Sequence, residues 1–326
     1  MRRREFIKVT ASSIAAVSPL VARAQVTPGQ KIASVGILNY AAANDPLVEE
    51  FRRALRQLGH TEGQTITVTY RGADGNFDRL PTLAEELVAQ RVDVIIALGP
   101  AVWAAKRATT SIPIVIAFSG DPVGDHVVPN FARPGGNITG FSYMSTDLAA
   151  KRLELLNQSF PNDRIAILYN PDEPATRLEM KATETAAQAM GMKLRPLTAR
   201  RSEDITQVFS QAAAERVGGV IVFTHGFAVL NSARIIELAA RERLPTVYGW
   251  RDFVTAGGLM SYGPNVQIMV QEAAAYVDRI IKGEQPGTLP IQQPARLELV
   301  LNLRTAKALG IAIPSTLLAR ADEVIE

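Results

Sequence analysis

Short runs of Val, Ile, Ala and Leu recur along this chain, each followed by a longer stretch whose apolar residues fall on one helical face. No other feature restricts the fold as severely. A strand that is apolar on both faces must be covered on both, which calls for a parallel sheet with helices on each side. Short loops and right-handed crossovers wind such a chain into a doubly wound sheet. The first series predicts strands at 32–38, 65–71, 92–98 and 113–118, with helices at 46–58, 83–90 and 102–109. A second series begins after Ser142. It predicts strands at 165–169, 193–197, 219–223, 246–248 and 259–261, and helices at 147–158, 174–190, 205–216, 228–241 and 273–281.

The two series echo each other. Leu87-Val88-Ala89-Gln90-Arg91-Val92-Asp93-Val94-Ile95-Ile96 resembles Ala212-Ala213-Ala214-Glu215-Arg216-Val217-Gly218-Gly219-Val220-Ile221, and each is followed by an X-Pro strand entry, Ile112-Pro113 and Leu244-Pro245. The chain has 326 residues, beyond the ~250–300 at which single cores stop growing. Two similar α/β lobes are therefore expected.

The N-terminus has a different character. Arg2-Arg3-Arg4-Glu5-Phe6-Ile7-Lys8 closely resembles a twin-arginine export signal. Residues 9–21 are apolar but diluted by Thr10, Ser12, Ser13 and Ser18, and Ala22-Arg23-Ala24 has the small residues a signal peptidase needs. As a helix, 9–21 would reach only about 20 Å, short of the ~30 Å of a bilayer core. Residues 1–24 are expected to be cleaved near Ala24. Of 35 Lys and Arg, five (Arg2, Arg3, Arg4, Lys8, Arg23) lie there, against one (Glu5) of 32 acidic residues. The remainder has 30 basic and 31 acidic side chains, a net of −1. Nothing in that balance favours nucleic acid. Cysteine is absent, which excludes disulfides, thiolate metal sites, cysteine nucleophiles and a lipidated cysteine. A protein free in a periplasm is the expectation.

Several motifs carry a family likeness. Ile112-Pro113-Ile114-Val115, Asp121-Pro122-Val123-Gly124 and Arg133-Pro134-Gly135-Gly136-Asn137-Ile138-Thr139-Gly140 closely resemble the tryptophan/ABC-type substrate-binding protein family. So do 256–263, and 301–310 with Pro314 and Arg320-Ala321-Asp322. The resemblance covers essentially the whole chain after the export signal. It implies a type I periplasmic-binding fold: two doubly wound α/β lobes, a three-crossing hinge, and a ligand in the cleft. The expected division is 25–142 with 264–292 for the N-terminal lobe, and 143–263 with 293–326 for the C-terminal lobe. It also implies a monomer that captures a small solute and meets an inner-membrane ABC permease transiently, with no cofactor, metal or catalytic residue.

Ligands of open parallel sheets bind beyond the carboxyl ends of the strands. The predicted strand ends nominate Asn39, Tyr40, Gly99, Pro100, Ala101, Phe118, Ser119, Asp121, Asn170, Thr224, His225 and Trp250, with Ser142 and Tyr143 at the first hinge crossing. Each has a plainer alternative. Asp121 before Pro122 suits a helix cap as well as a ligand group. Gly99-Pro100-Ala101 opens a helix whose N–H groups could face a polar atom. Tyr40, Phe118, Tyr143 and Trp250 could pack in the lobe cores. Arg133-Pro134-Gly135-Gly136 suits a tight turn better than a phosphate loop, because Pro removes a donor and no Lys-Ser/Thr follows. Four aromatic residues with few charges nearby, Asp121 and Arg251, favour a small planar or partly apolar solute over a sugar or bare anion. Amino-acid-binding relatives tend to carry a small acidic or amide residue where this chain has Phe223-Thr224-His225-Gly226, so tryptophan itself is not carried over.

Two other classes compete. A Rossmann enzyme needs G-x-G-x-x-G after its first strand, whereas Asn39-Tyr40 continues into Ala41-Ala42-Ala43; Walker A and G-x-S-x-G motifs are missing too. His60, His126 and His225 are too widely separated for a helical metal pair, and His60 is expected in a surface turn. A receptor that presents its ligand to a signalling partner would share every feature above.

Overall fold

The computed structural model describes residues 32–326 apart from Ala43; the export-signal expectation lies outside these residues. The first half alternates β1 (Ala33–Asn39), α1 (Pro46–Gln57), β2 (Ile66–Gly72), α2 (Leu80–Ala89), β3 (Val94–Leu98), α3 (Ala101–Ala108), β4 (Ile114–Ser119) and β5 (Ile138–Ser142). All five strands run parallel, in the order β2-β1-β3-β4-β5. Side-chain alternation explains why the runs are apolar throughout. Val94, Ile96, Val115 and Ala117 join the core beneath α1, while Ile95, Ala97, Ile114 and Ile116 join that beneath α2 and α3. The helix starts are locally encoded as well: Asp45 caps α1 by accepting from Leu47 N at 3.0 Å, with Pro46 in the first turn.

The second half continues with α4 (Ser145–Ser159), β6 (Arg164–Tyr169), α5 (Thr176–Ala189), β7 (Lys193–Thr198), α6 (Asp204–Ala214), β8 (Val220–Val222), α7 (Gly226–Leu230), α8 (Ser232–Arg241), β9 (Thr246–Tyr248), α9 (Arg251–Thr255) and β10 (Met260–Gly263). Its strand order, β7-β6-β8-β9-β10, reproduces that of the first sheet. The echo extends to the backbone. Arg91 and Arg216 both adopt left-handed conformations, with φ of 53° and 51°. Ile95 N and Val220 N both donate at 2.8 Å to the carbonyl of the X-Pro proline, Pro113 and Pro245.

After β10 the chain returns to the first sheet as α10 (Val266–Ile281), whose Met269, Val270 and Ala273 join the core shared with α1. It then crosses again into β11 (Glu298–Asn302), α11 (Leu303–Leu309), α12 (Ser315–Leu318) and β12 (Glu323–Ile325). Strand β11 pairs antiparallel with β10, and β12 extends that edge in parallel. Three chain crossings therefore join the lobes. The first and third run side by side: Ser142 N donates to Gln292 O at 2.9 Å, and Gln292 N to Gly140 O at 2.8 Å.

Three local expectations change. The helix anticipated at 228–241 is two helices meeting at Asn231, whose amide donates to Phe227 O while its Oδ1 bonds Ser202 Oγ. Such side-chain competition for backbone groups ends helices. His60 is not a free surface turn residue: its Nε2 lies 2.8 Å from Asp278 of α10. Strands β5, β11 and β12 supplement the nine anticipated from the apolar runs.

Candidate functional site

A cavity of about 630 Å³, counted with its open mouth, lies between the two sheets. Equivalent strand ends build it from both lobes. Asn39 and Tyr40 follow β1, Gly99 and Pro100 follow β3, and Phe118, Ser119 and Gly120 close β4. From the other lobe come Glu173, Pro174 and Ala175 after β6, Thr224 and His225 after β8, and Trp250 after β9. Tyr143 enters from the first hinge crossing.

The lobes touch across this cavity. Phe118 and Trp250 pack edge-to-face with ring centroids 5.3 Å apart, and Tyr143 meets Trp250 in the same way at 6.0 Å. Such ring pairs contribute ~0.5–1.5 kcal/mol beyond area burial. The Tyr40 ring, stacked on Phe77 at 4.2 Å, packs so closely against Gly226 that a Cβ there would sit 2.6 Å from it. Glycine is needed for the lobes to approach this closely. The Tyr40 hydroxyl is fixed by donating to Gly75 O at 2.7 Å.

Behind the aromatic wall runs a buried polar chain. The Tyr143 hydroxyl and His225 Nδ1 are 2.6 Å apart, and His225 Nε2 meets Glu179 Oε2 at 2.7 Å. Glu179 Oε1 accepts from Arg152 Nη1 at 2.9 Å, and Arg152 Nε donates to Tyr262 O at 3.0 Å, one residue before the end of β10. Arg152 and Glu179 are 2% and 1% exposed. Charges this deep persist only when paired. Burial pulls the His225 imidazole down, but the hydrogen bond and charge of Glu179, with Glu173, hold it above its ordinary value. Burial, then the charges of Glu179 and Glu173, push the Tyr143 phenol well up. Glu173 accepts from Phe227 N at 2.6 Å, and burial raises its carboxyl despite His225.

A concave, mainly apolar site with several aromatic rings, between two lobes and built from strand ends, is what a solute-binding cleft requires. The sequence pattern of the family described as ABC transporter substrate binding protein matches residues 31–325. The chain belongs to that family. As an ABC transporter substrate-binding protein, it is the solute-binding component of such a transporter. A conserved domain protein from Vibrio cholerae is 28% identical and superposes with a TM-score of 0.84, covering 90% of this chain and 100% of that one. The ABC domain from Streptococcus pneumonia in complex with L-Trp gives 0.82 at 22% identity, with the same coverage. A tyrosine-binding protein of Clostridioides difficile is 24% identical over 270 residues, 82% of this chain and 77% of the relative.

Ten of the fourteen residues nominated from sequence line the substrate-binding protein's cavity: Asn39, Tyr40, Gly99, Pro100, Phe118, Ser119, Tyr143, Thr224, His225 and Trp250. The other four lie off it. Ala101 is fully buried in the first turn of α3. Asp121 accepts from Gly124 N at 2.8 Å within the turn that follows β4, where no helix begins for it to cap. Ser142 bridges Gly120 O and Met144 N within the hinge, and Asn170 accepts from Asp172 N in the turn after β6. Arg251 is also turned elsewhere, paired with Glu298 at 3.1 Å and Glu323 at 2.5 Å. Sequence reasoning missed Asp45, Trp103 and Glu173. Glu173 had one available signal, an acidic residue between prolines just beyond a strand end. Trp103, near the start of α3, had none.

Proposed function

We propose that this substrate-binding protein works in the periplasm, capturing a small aromatic or amino-acid-like solute by closure of its lobes and delivering it to an ABC permease. The observation that carries the ligand class is the composition of the cavity wall: Tyr40, Trp103, Phe118, Tyr143 and Trp250, with polar groups few and specific. The L-Trp complex and the tyrosine-binding relative support it. Lobe closure is supported by the contacts Tyr40–Gly226 and Tyr143–His225, and lobe limits at 142/143, 263/264 and 292/293 by the three crossings.

The export route rests on Arg3 and Arg4, and among the described residues no helix is long and apolar enough to cross a membrane. Replacing both arginines by lysine should leave precursor in the cytoplasm.

The Tyr143–His225–Glu179 chain resembles a catalytic relay in composition, but its chemistry runs the other way. Nucleophiles are activated by a lowered pKa or by an adjacent base, and here burial and the nearby carboxylates push the Tyr143 phenol well up, away from the phenolate. The solute is expected to leave unchanged. A thermal-shift screen of aromatic compounds, amino acids, sugars and oxyanions, followed by calorimetry and by scattering with and without the best binder, tests the whole assignment. Stabilisation only by sugars or oxyanions would reject the ligand class. An unchanged radius of gyration at saturation would reject closure, and conversion of the ligand would revive an enzyme.

A further inference from the structure

Among the residues lining the cavity there is no Lys or Arg, whereas two carboxylates, Asp45 and Glu173, are present. The Arg152 guanidinium, which reaches the cavity only through Glu179 and His225, is matched to Glu179. The one basic lining residue, His225, has both ring nitrogens engaged, Nε2 by Glu179 and Nδ1 by Tyr143. With Arg152 paired to Glu179, the wall itself carries two carboxyl groups against a single imidazole. The two carboxylates differ in what holds them. Asp45 accepts from Leu47 N through one oxygen and from the Asn39 amide through the other, as a helix cap does. Glu173 is 2% exposed and is held by the N–H of Phe227, directly beside Gly226, against which the Tyr40 ring packs. A buried carboxylate next to an aromatic face is the environment an ammonium group prefers, combining a charge-assisted hydrogen bond with cation–π attraction.

We infer that Glu173 is the specificity-determining residue of this cleft, pairing with an ammonium group of the solute against the ring of Tyr40, and that the preferred solutes are aromatic amines. Resting on the proposed aromatic class, this goes beyond it by ranking charge states. A carboxylate on the solute finds no Lys or Arg in the wall and enters the field of Glu173 and Asp45. Net-positive amines therefore bind at least as well as the matching zwitterionic amino acids, and matching acids bind poorly. Burial raises the Glu173 carboxyl, so an ammonium group also relieves the cost of closing the lobes over it.

The test is calorimetric titration with one ring in three charge states: phenethylamine, L-phenylalanine and 3-phenylpropionate. The expected order places the amine at or above the amino acid, and both about tenfold or more above the acid, the scale of a charge-assisted hydrogen bond. Glu173→Gln keeps an acceptor for Phe227 N but removes the charge. It should weaken the amine by about tenfold or more and leave the acid no weaker than in the wild type. Should Glu173→Gln not fold, the wild-type ranking decides alone. Equal affinity for amine and acid would overturn the inference, as would an amino acid bound more than about tenfold tighter than the amine. An unaltered ranking in folded Glu173→Gln would also overturn it. Binding of none of the three, with a sugar bound instead, would overturn the aromatic assignment and this inference with it.

Discussion

Replacing Glu179 by leucine strips the buried polar chain of its central anion. Its carboxylate serves Arg152 through Oε1 at 2.9 Å and His225 through Oε2 at 2.7 Å. Without it, the Arg152 guanidinium keeps only Tyr262 O at 3.0 Å, and its Nη2 already has no partner. Breaking a buried ion pair from one side costs about 3–5 kcal/mol, because the remaining charge stays desolvated. Leucine is close in size to glutamate, so little of that cost comes from a cavity. At about 2 °C per kcal/mol for a chain of this length, the melting temperature should fall by roughly 6–10 °C. Urea unfolding followed by circular dichroism gives the same quantity independently. The double variant Arg152→Leu/Glu179→Leu removes both charges and should recover most of the loss. A loss below about 1 kcal/mol in Glu179→Leu, or a double variant whose loss equals the sum of the singles, would refute the claim that uncompensated charge is the cause.

Three further outcomes follow from the structure. Burial, then the charge of Asp121, pushes the Asp125 carboxyl up to about 6. The folded state therefore holds a proton that the unfolded chain releases near its ordinary ~3.9, and stability should fall as pH rises from about 4 to 6. Asp125→Asn should flatten that segment and raise stability above it, as denaturation across pH would record; an unchanged profile would count against the shift. Gly226→Ala inserts a methyl 2.6 Å from the Tyr40 ring across the cleft. It should lower solute affinity by about tenfold, ~1.4 kcal/mol, with a melting temperature shift small beside that of Glu179→Leu; wild-type affinity would mean the lobes do not close this far. Trp250→Ala should cost about 1.5–3 kcal/mol of binding through lost ring contact, whereas Asp121→Asn, off the cavity, should leave affinity within about threefold; calorimetry giving the reverse order would return Asp121 to the site.

Periodicity made most of the scaffold legible. The inner strands β1, β3, β4, β6 and β8 announced themselves as apolar runs, because a strand covered on both faces needs no polar side chain, whereas the edge strands β2 and β7 carry Thr, Arg and Lys. The echo between 87–96 and 212–221 anticipated a repeated topology, and Arg91 and Arg216 share even their left-handed backbone. Strand β5, Ile-Thr-Gly-Phe-Ser, has no such run. Its place beside β4 is decided by pairing, with a register shift between Ile116 and Ser119.

Strand ends likewise brought most of the cavity within reach of the sequence, since in a parallel sheet the carboxyl ends gather on one side whatever their side chains are. Which neighbour faces the cavity was another matter. Trp250 lines it, while Arg251 turns to Glu298 and Glu323, residues distant in the chain. Glu179 looks like an ordinary acidic residue in the first turn of a helix, well placed for the helix dipole and for solvent. Only its partners, Arg152 one helix earlier and His225 beyond β8, make it a buried ion. By itself the sequence located nine of the twelve strands and most of the helices, because backbone period is local, although α10 begins at Val266, seven residues before the expected start. The tertiary structure alone decided which charges are buried and which rings meet across the cleft, because those depend on how two lobes assembled from distant segments come to lie against each other.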